Sequence, residues 1–565
     1  MFDIKEIPFS RYGSFITISP NHHEDGERPL YLRNIRNGDN EFGEVFRIDL
    51  VHEGNPLPYQ ALLSPTLLRL ESAEGFAEFC ITETRVLQIR SHCTGIRLTG
   101  ITGAYDYAVP VENERWEVNH SRQEMRYMLT SIKGNLVVDA PFIEQRCEKI
   151  IVDFLPDPLS GEMEGVIEEF TTVYQQRSYA AFSEGHNLVK KEYKSWLENT
   201  LEIPEQYLRG KEMASYITWS CVVPPEGMLT RPAMYMSKNW MTNIWSWDHC
   251  FNALALAKHN PNLAWDQFMI FFDLQDRSGM LPDFVNNRSA LWNFTKPPIH
   301  GWTLSRMWEQ NDFVTEEKLK EVYQPLEKWT KWWLTFQDSD QDGIPQYNHG
   351  NDSGWDNSTI FHKGTPVESP DLSSFLVLQM EVLAEIACKL GKNDDARKWM
   401  DESQALLDRM LDHFWNGERF VAKRSGTHEI IESDSLVLYV PLILGNRLPP
   451  EILNKLAEDI KTKGFLTEFG LATEQPDSPF YREDGYWRGP IWAPTTMLLT
   501  DGLLSSGNKD LAFEVAEKFC SMAAKSGMAE NYNALTGEGL RDPAFTWTSS
   551  VFLILGHLLA AEETR

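Results

Sequence analysis

The spacing of apolar residues changes once along this chain, near residue 180, and no other feature limits the fold as much. Before the change, apolar and polar residues alternate in short runs: Leu87 and Ile89, Ile96 and Leu98, Tyr127 and Leu129, Leu136 and Val138. Successive side chains of a strand point to opposite faces, so this spacing predicts half-buried strands. Turn residues such as Thr94-Gly95 and Lys133-Gly134-Asn135 separate them, which predicts antiparallel neighbours. The expected unit is an N-terminal antiparallel β-sandwich domain over residues 1–180, with Gly165 to Tyr174 as one more strand.

From Ile203 onward the period is helical. Ser373 to Leu390 places Phe375, Leu376, Met380, Leu383, Ile386, Ala387 and Leu390 on one stripe, and Gly391 supplies a C-cap. Asp394 to Phe414, Pro450 to Lys463 and Leu511 to Lys525 behave alike. Roughly a dozen helices are expected over residues 203–565, after a linker helix within 181–202 that runs from His186 to Glu198. The chain is therefore mainly α. Long helices in sequential pairs predict an α/α toroid. A solenoid has the same coarse pattern, but no repeat of about 34 or 40 residues is visible.

Composition removes several function classes. The net charge of −29 repels phosphate backbones and anionic lipid, so neither nucleic acid nor a membrane surface is an expected partner. Seven Cys without a C-x-x-C pair predict free, buried thiols in a reducing compartment. The N-terminus has no basic n-region followed by an apolar core, and no apolar run reaches membrane-spanning length. The expectation is a cytoplasmic protein, with monomer and homo-oligomer both open.

Five loops in the helical half mix aromatics with carboxylate, amide or Arg. They are Asn239-Trp240 through Trp245-Ser246-Trp247-Asp248-His249; Gly279 to Asp283 with Lys296 to Trp302; Asp338 to Asn357; Tyr486 to Trp492; and Ala529-Glu530-Asn531-Tyr532. Flat apolar rings beside fork-shaped hydrogen-bonding groups suit a neutral polyhydroxyl ligand. Trp302, Trp355, Trp492 and Tyr532 are the candidate platforms, although any one Trp serves a core equally well. Glycoside cleavage needs one protonated and one ionised carboxyl group. Asp356 is a candidate because Trp355 can desolvate it, and Glu530 because Asn531 and Tyr532 can hold a water beside it. Helix capping or a surface role remains open for both.

Taken together and in order, Trp247-Asp248, Ser353-Gly354-Trp355-Asp356-Asn357, Trp487-Arg488-Gly489-Pro490-Ile491-Trp492 and Glu530-Asn531-Tyr532 resemble the clan G glycoside hydrolases: family 63, its mannosylglycerate-hydrolase-like members, and the trehalases of family 37. The resemblance covers about Trp240 to Trp547. It implies an (α/α)6 barrel and hydrolysis with inversion, Asp356 as general acid and Glu530 as general base, about 6.5–9.5 Å apart. It also implies that Trp247, Asp248, Trp487 and Arg488 form the −1 subsite. Where Gln and Pro often precede the aromatic of the family's second loop, this chain has Lys296-Pro297-Pro298. An α-glucoside is the first expected substrate. Mannosyl- or glucosylglycerate, or a trehalose-like sugar, is the alternative, and a non-catalytic sugar-binding protein is the rival outside enzymes. A bell-shaped pH profile with a mildly acidic to neutral optimum is expected from a raised Asp356.

No cofactor is required for the reaction. Asp338, Asp340 and Asp342 lie in a D-x-D-x-D-G run that fits the start of a structural Ca²⁺ loop, and some family 63 relatives bind calcium there. An acidic turn is the plainer account. His249, His300 and His362 are read as packed loop histidines rather than metal ligands.

Overall fold

The computed structural model describes residues 1–21, 28–112, 114–310 and 312–563. The alternating half forms two large antiparallel sheets. One has the order Ile16–Pro20, Leu30–Asn34, Glu44–His52, Gly95–Gly100, Ile151–Leu155, Asn135–Asp139, with Asn55–Pro56 beside Glu44–His52. The other runs Tyr107–Val111, Arg115–His120, Met125–Lys133, Glu162–Phe170, Val86–His92, Phe76–Glu83, Leu67–Glu71, Gln60–Ser64. Their apolar faces meet. Phe46 of the first sheet lies edge-on to Tyr127 of the second, with centroids 5.9 Å apart. A Cβ on Gly165 would come 2.6 Å from the Phe154 ring across the interface, so only glycine lets that ring close the layer.

Leu87, Ile89, Ile96, Leu98, Tyr127 and Leu129 are all buried, as their alternation predicts. Leu136 and Val138 stay half-exposed because Asn135–Asp139 is an edge strand. The last expected strand begins at Glu162 and ends at Phe170. The following helix spans Phe182–Glu198 and starts before His186, because its N-cap Ala181 makes no side-chain cap to mark the beginning.

Eleven more α-helices follow among the described residues: Leu208–Ser220, Asp248–Leu256, Pro261–Asp273, His300–Gln310, Glu316–Phe336, Pro370–Lys389, Asn393–Phe414, Pro450–Thr462, Ala493–Ser505, Lys509–Ser526 and Thr546–Glu563. None is long and apolar enough to cross a membrane. Gly391, at φ 73°, ends its helix as expected, with Lys392 N–H bonding to Ala387 O.

Their packing closes on itself. Asp248–Leu256 touches His300–Gln310, which touches Pro370–Lys389, then the irregular 3₁₀ segment Leu436–Arg447, then Ala493–Ser505, then Thr546–Glu563, which returns to Asp248–Leu256. A solenoid has no such closure. The remaining helices pack outside this ring; Asn393–Phe414 lies on Pro370–Lys389, and Pro261–Asp273 on Asp248–Leu256. The loops singled out above enter inner-ring helices at their N-termini, so they gather at one end of the ring.

The two halves are joined through buried charge. Arg33, 1% exposed, donates to Lys238 O, Asn239 O, Phe42 O and Ser19 Oγ. Arg36 pairs bidentately with Glu169 at 2.8 and 2.7 Å and reaches Glu226 of the helical half at 2.6 Å. The side chains of Arg36 and Glu169 are 2% and 0% exposed, so neither can recover water if its partner is lost. Arg36→Ala strands Glu169 and is expected to destabilise the protein by roughly 3–5 kcal/mol in equilibrium denaturation. A loss below about 1 kcal/mol would show that the pair behaves as a surface bridge.

Candidate active site

Asp356 and Glu530 line one cavity of about 160 Å³, together with Met241, Trp245, Trp247, Asp248, Lys296, Asn351, Gly354, Tyr486, Trp487, Phe545 and Trp547. That is smaller than the roughly 300–1,000 Å³ of pockets for drug-sized ligands and suits one sugar ring.

Local backbone chemistry places the two carboxylates. The 3₁₀ turn Gly350–Ser353 is capped reciprocally: Asn351 N–H donates to His349 Nδ1, and His349 N–H to Asp352 Oδ2. Gly354 then takes φ 72°, and a Cβ there would lie 2.6 Å from the Trp247 ring. Glycine therefore allows both the reversal and the close packing that turn Asp356 into the cavity. Asn357 holds the neighbouring loop, donating to Gly485 O and accepting from Trp487 N–H at 3.0 and 2.9 Å. On the far side, Asn531–Tyr532 pairs with Ile491–Trp492 and with Gly539–Leu540. Glu530 precedes this strand, and its N–H donates to Asp542 O at 2.7 Å. Asp542 Oδ1 accepts from Asn239 Nδ2, which also donates to Glu6 O.

The electrostatics divide the carboxylates. Glu530, 4% exposed, has its pKa raised from 4.5 to about 8 by burial and by the nearby Asp542 charge, with Arg541 opposing. Burial raises Asp248 well above the usual carboxylate range. Asp356 keeps 31% side-chain exposure and lies 3.8 Å from Lys296 Nζ. Lys296 also meets Asp283 Oδ1 at 3.2 Å and Asn351 Oδ1 at 2.7 Å. Burial lowers the Lys296 pKa, but Asp356, Asp283 and Asp248 outweigh it and the net shift is upward. Asp248 Oδ2 and Trp487 Nε1 are buried without a protein partner, and such atoms concentrate where a ligand supplies one.

Of the expected subsite residues, Trp247, Asp248 and Trp487 reach the cavity. Trp492 stacks flat behind Trp487 at 4.0 Å and donates its indole N–H to Tyr486 O. Trp355 packs on Trp487 from behind at 5.1 Å. Trp302 lies beneath, bonded to Asp501, and Tyr532 points its hydroxyl to Gly527 O. Arg488 lies outside the lining, with an unpartnered Nε beside the charge of Glu474. Lys296, Asn351 and Tyr486 lie in the loops singled out by the sequence but are not among its candidate subsite residues, and Phe545 and Trp547 lie outside those loops. Within its loop the structure sets Tyr486 apart: its φ is 63°, a strained value for a non-glycine residue, with the Arg541 guanidinium 4.9 Å over its ring.

Asp340 and Asp342 converge with Glu368 and His428, whereas Asp338 stays outside that group and accepts Gly343 N–H. His249 and His300 are fully buried among aromatic rings, where they come close to Cys250. All seven cysteines are free; Cys388 is exposed and Cys93 half-buried.

A family model described as the mannosylglycerate hydrolase MGH1-like glycoside hydrolase domain matches residues 241–548. The mannosylglycerate hydrolase of Thermus thermophilus is 21% identical over 391 residues, covering 55% of this chain and 93% of the relative. A crystal structure of a family 63 mannosylglycerate hydrolase from Thermus thermophilus, in complex with glucose, superposes with a TM-score of 0.52 at 20% identity, over 60% of this chain and 98% of that one. A bacterial glucoamylase complexed with acarbose gives 0.61 at 13% identity, over 99% and 96% of the two chains, a likeness of fold.

The raised Glu530 has a cost for stability. Between the unfolded value of 4.5 and about 8 the folded chain binds the extra proton, so this group's contribution to stability falls as pH rises through that window. Glu530→Gln removes the charge without changing the shape. It is expected to be more stable than wild type at pH 8, by on the order of a few kcal/mol in equilibrium denaturation, and to show little advantage at pH 4.5. Equal gains at both values would locate the effect in packing.

Proposed function

The chain belongs to the mannosylglycerate hydrolase MGH1-like family of glycoside hydrolases, and from that membership we propose an inverting α-glycosidase with Asp356 as general acid and Glu530 as general base. The observation that carries the assignment is that both groups line one ring-sized cavity with Trp247, Asp248 and Trp487. Asp356 protonates the leaving glycosidic oxygen. A water attacks the anomeric carbon from the opposite face and gives its proton to Glu530, so one inverted sugar and one free hydroxyl result. Asp248 accepts from the sugar hydroxyls, and the Trp247 and Trp487 rings bound the apolar faces of the ring. Lys296 positions Asp356 and reduces the repulsion among the cavity acids.

The closed ring of inner helical segments supports reading residues 203–565 as an (α/α)6 barrel. The linker 181–202 then joins it to a β-sandwich domain over residues 1–180; the last long strand ending at Phe170 and the helix Phe182–Glu198 support that division. A neutral α-glucoside is the favoured substrate. Lys296 is the cation of the lining and is already matched to Asp283 and Asp356, so an anionic aglycone such as glycerate finds no uncommitted charge there. Mannosyl- and glucosylglycerate are the alternative substrates on family grounds.

A second reading exchanges the two roles, because a buried group with a pKa near 8 suits an acid. An NMR time course on α-glucosides, α-mannosides and glycosylglycerates, with Asp356→Asn and Glu530→Gln in parallel, tests both readings. Release of the β-anomer first, and a loss of about 10²–10⁴-fold in kcat for each variant, are expected. Full activity in either variant, or retained configuration, overturns the mechanism.

The pH profile separates acid from base. With Glu530 as base, activity rises with pH through its ionisation near 8, above the optimum expected from sequence. With Glu530 as acid, activity falls there. In Asp542→Asn that same limb moves to lower pH, since a charge that raises Glu530 is gone.

A further inference from the structure

Two non-glycine residues beside the cavity take left-handed backbone angles, and their side chains stack on each other. Tyr486 has φ 63° and Arg541 φ 64°. The Arg541 guanidinium lies 4.9 Å from the centroid of the Tyr486 ring, and its Nη1 donates to Asp484 Oδ1. A third tie joins the same two segments, from Asn533 Nδ2 to Glu483 Oε2 at 3.4 Å. One segment is the loop of residues 482–488, closed on itself by Arg482 N–H bonding to Arg488 O at 2.8 Å, and it carries Tyr486 and Trp487 into the cavity lining. The other is the hairpin of Asn531–Tyr532 and Gly539–Leu540, which continues into Arg541 and Asp542. Asp542 O accepts Glu530 N–H at 2.7 Å, so Arg541 stands between the aromatic wall and the backbone of Glu530. Backbone strain of this kind persists where the surrounding contacts over-determine it, and it gathers at functional sites.

We propose that Arg541 is a positioning residue for the glycosidase reaction: it fastens the Tyr486–Trp487 wall to the segment that holds Glu530, and it supplies the positive charge on that side of the cavity. This role rests on Glu530 being one of the two reacting carboxyl groups. Carboxyl groups crowd Glu530: Asp542 and Asp248 oppose its ionisation, and Asp356 lines the same cavity. Tyr486 keeps its hydroxyl proton, because burial and the Asp356 and Glu530 charges raise its pKa well above the usual value. Lys296 is committed to Asp283 and Asp356. Arg541 is the cation that favours the Glu530 carboxylate. A guanidinium can do this and brace the wall as well, because its flat face stacks on Tyr486 while an edge N–H pairs with Asp484. An ammonium carries the same charge without the flat face. Small displacements of the Trp487 ring or of Glu530 are costly, since the sugar and the attacking water must be aligned together.

The test is the pH dependence of kcat and KM for full-length Arg541→Gln, Arg541→Lys and Asp484→Asn, beside Glu530→Gln. Arg541→Gln keeps a polar side chain but loses the charge. The limb set by Glu530 is expected to move to higher pH by at least ~0.5 unit, with kcat lowered at least ~10-fold. That direction is opposite to the one expected for Asp542→Asn, and it is the same whether Glu530 is base or acid. Arg541→Lys returns the limb toward wild type while kcat stays reduced, because the charge is restored and the stack is not. Asp484→Asn loosens the wall with the cation in place, so kcat falls and the limb does not rise. A purely structural Arg541 would lower kcat in Arg541→Gln without raising the limb, since a loosened site admits water and eases the ionisation of Glu530. With Glu530→Gln inactive, an unmoved or lowered limb in Arg541→Gln, or wild-type kcat there, overturns the proposal. Should Arg541→Gln not fold, wild-type kcat in both Arg541→Lys and Asp484→Asn overturns it. Activity retained in Glu530→Gln overturns the carboxyl pair itself.

Discussion

The burial of Glu530 against Asp542 is the constraint from which the rest of the site follows. A carboxylate at 4% exposure has lost most of its hydration, and the second carboxylate, on the residue its backbone is bonded to, makes its charge costlier still. The fold holds it there through backbone pairing. Glu530 N–H is tied to Asp542 O, and its strand is flanked by Ile491–Trp492 and Gly539–Leu540. Across the cavity Asp356 sits in the opposite condition, partly exposed and beside an ammonium group. Two carboxyl groups of similar intrinsic acidity thus acquire different environments, which is the physical requirement for dividing acid from base.

The N-terminal half takes part in this arrangement. Asn239 links Asp542 to the carbonyl of Glu6, so residues from three distant parts of the chain position the backbone at Glu530. Beside it Lys238 is buried, with its ammonium on Ser10 Oγ and Ser14 O, and burial lowers its pKa to about 7. Arg33 caps the same stretch by donating to Lys238 O and Asn239 O. Buried cations are tolerable only when fully bonded, and here their partners come from both halves. The sheets are therefore part of what keeps the Asn239 loop, and with it Glu530, in place.

Aromatic residues show how far motif reading reaches. Trp487 faces the cavity, while Trp492, five residues later, lies flat against its back at an interplanar angle of 5°. Both belong to one motif and both look like sugar platforms in sequence. The turn at Gly489 and the strand at Ile491–Trp492 decide which ring faces in. Lys296 is illegible for a related reason. A lysine in a loop is ordinarily a solvated charge, and only the convergence of Asp248, Asp283 and Asp356 makes burying this one favourable. Trp547 begins a helix and reads as core, yet it lines the cavity because that helix is the closing member of the ring.

By itself the sequence determined the switch from sheets to helices, the strands around Leu87 and Leu129, and the helices that end at Gly391 and Phe414. It also determined the residue types at the site, since the glycine before Trp355 and Asp356 is demanded by a local backbone angle. These features depend on neighbours a few positions apart. The tertiary structure alone decided that the helices close into a ring, that five loops meet at one end, and that Glu530 carries the raised pKa. Periodicity shows that a face is apolar but not whether it meets a core or a cavity. Desolvation sums over atoms remote in sequence, so the chemical difference between Asp356 and Glu530 exists only once the chain has folded around them.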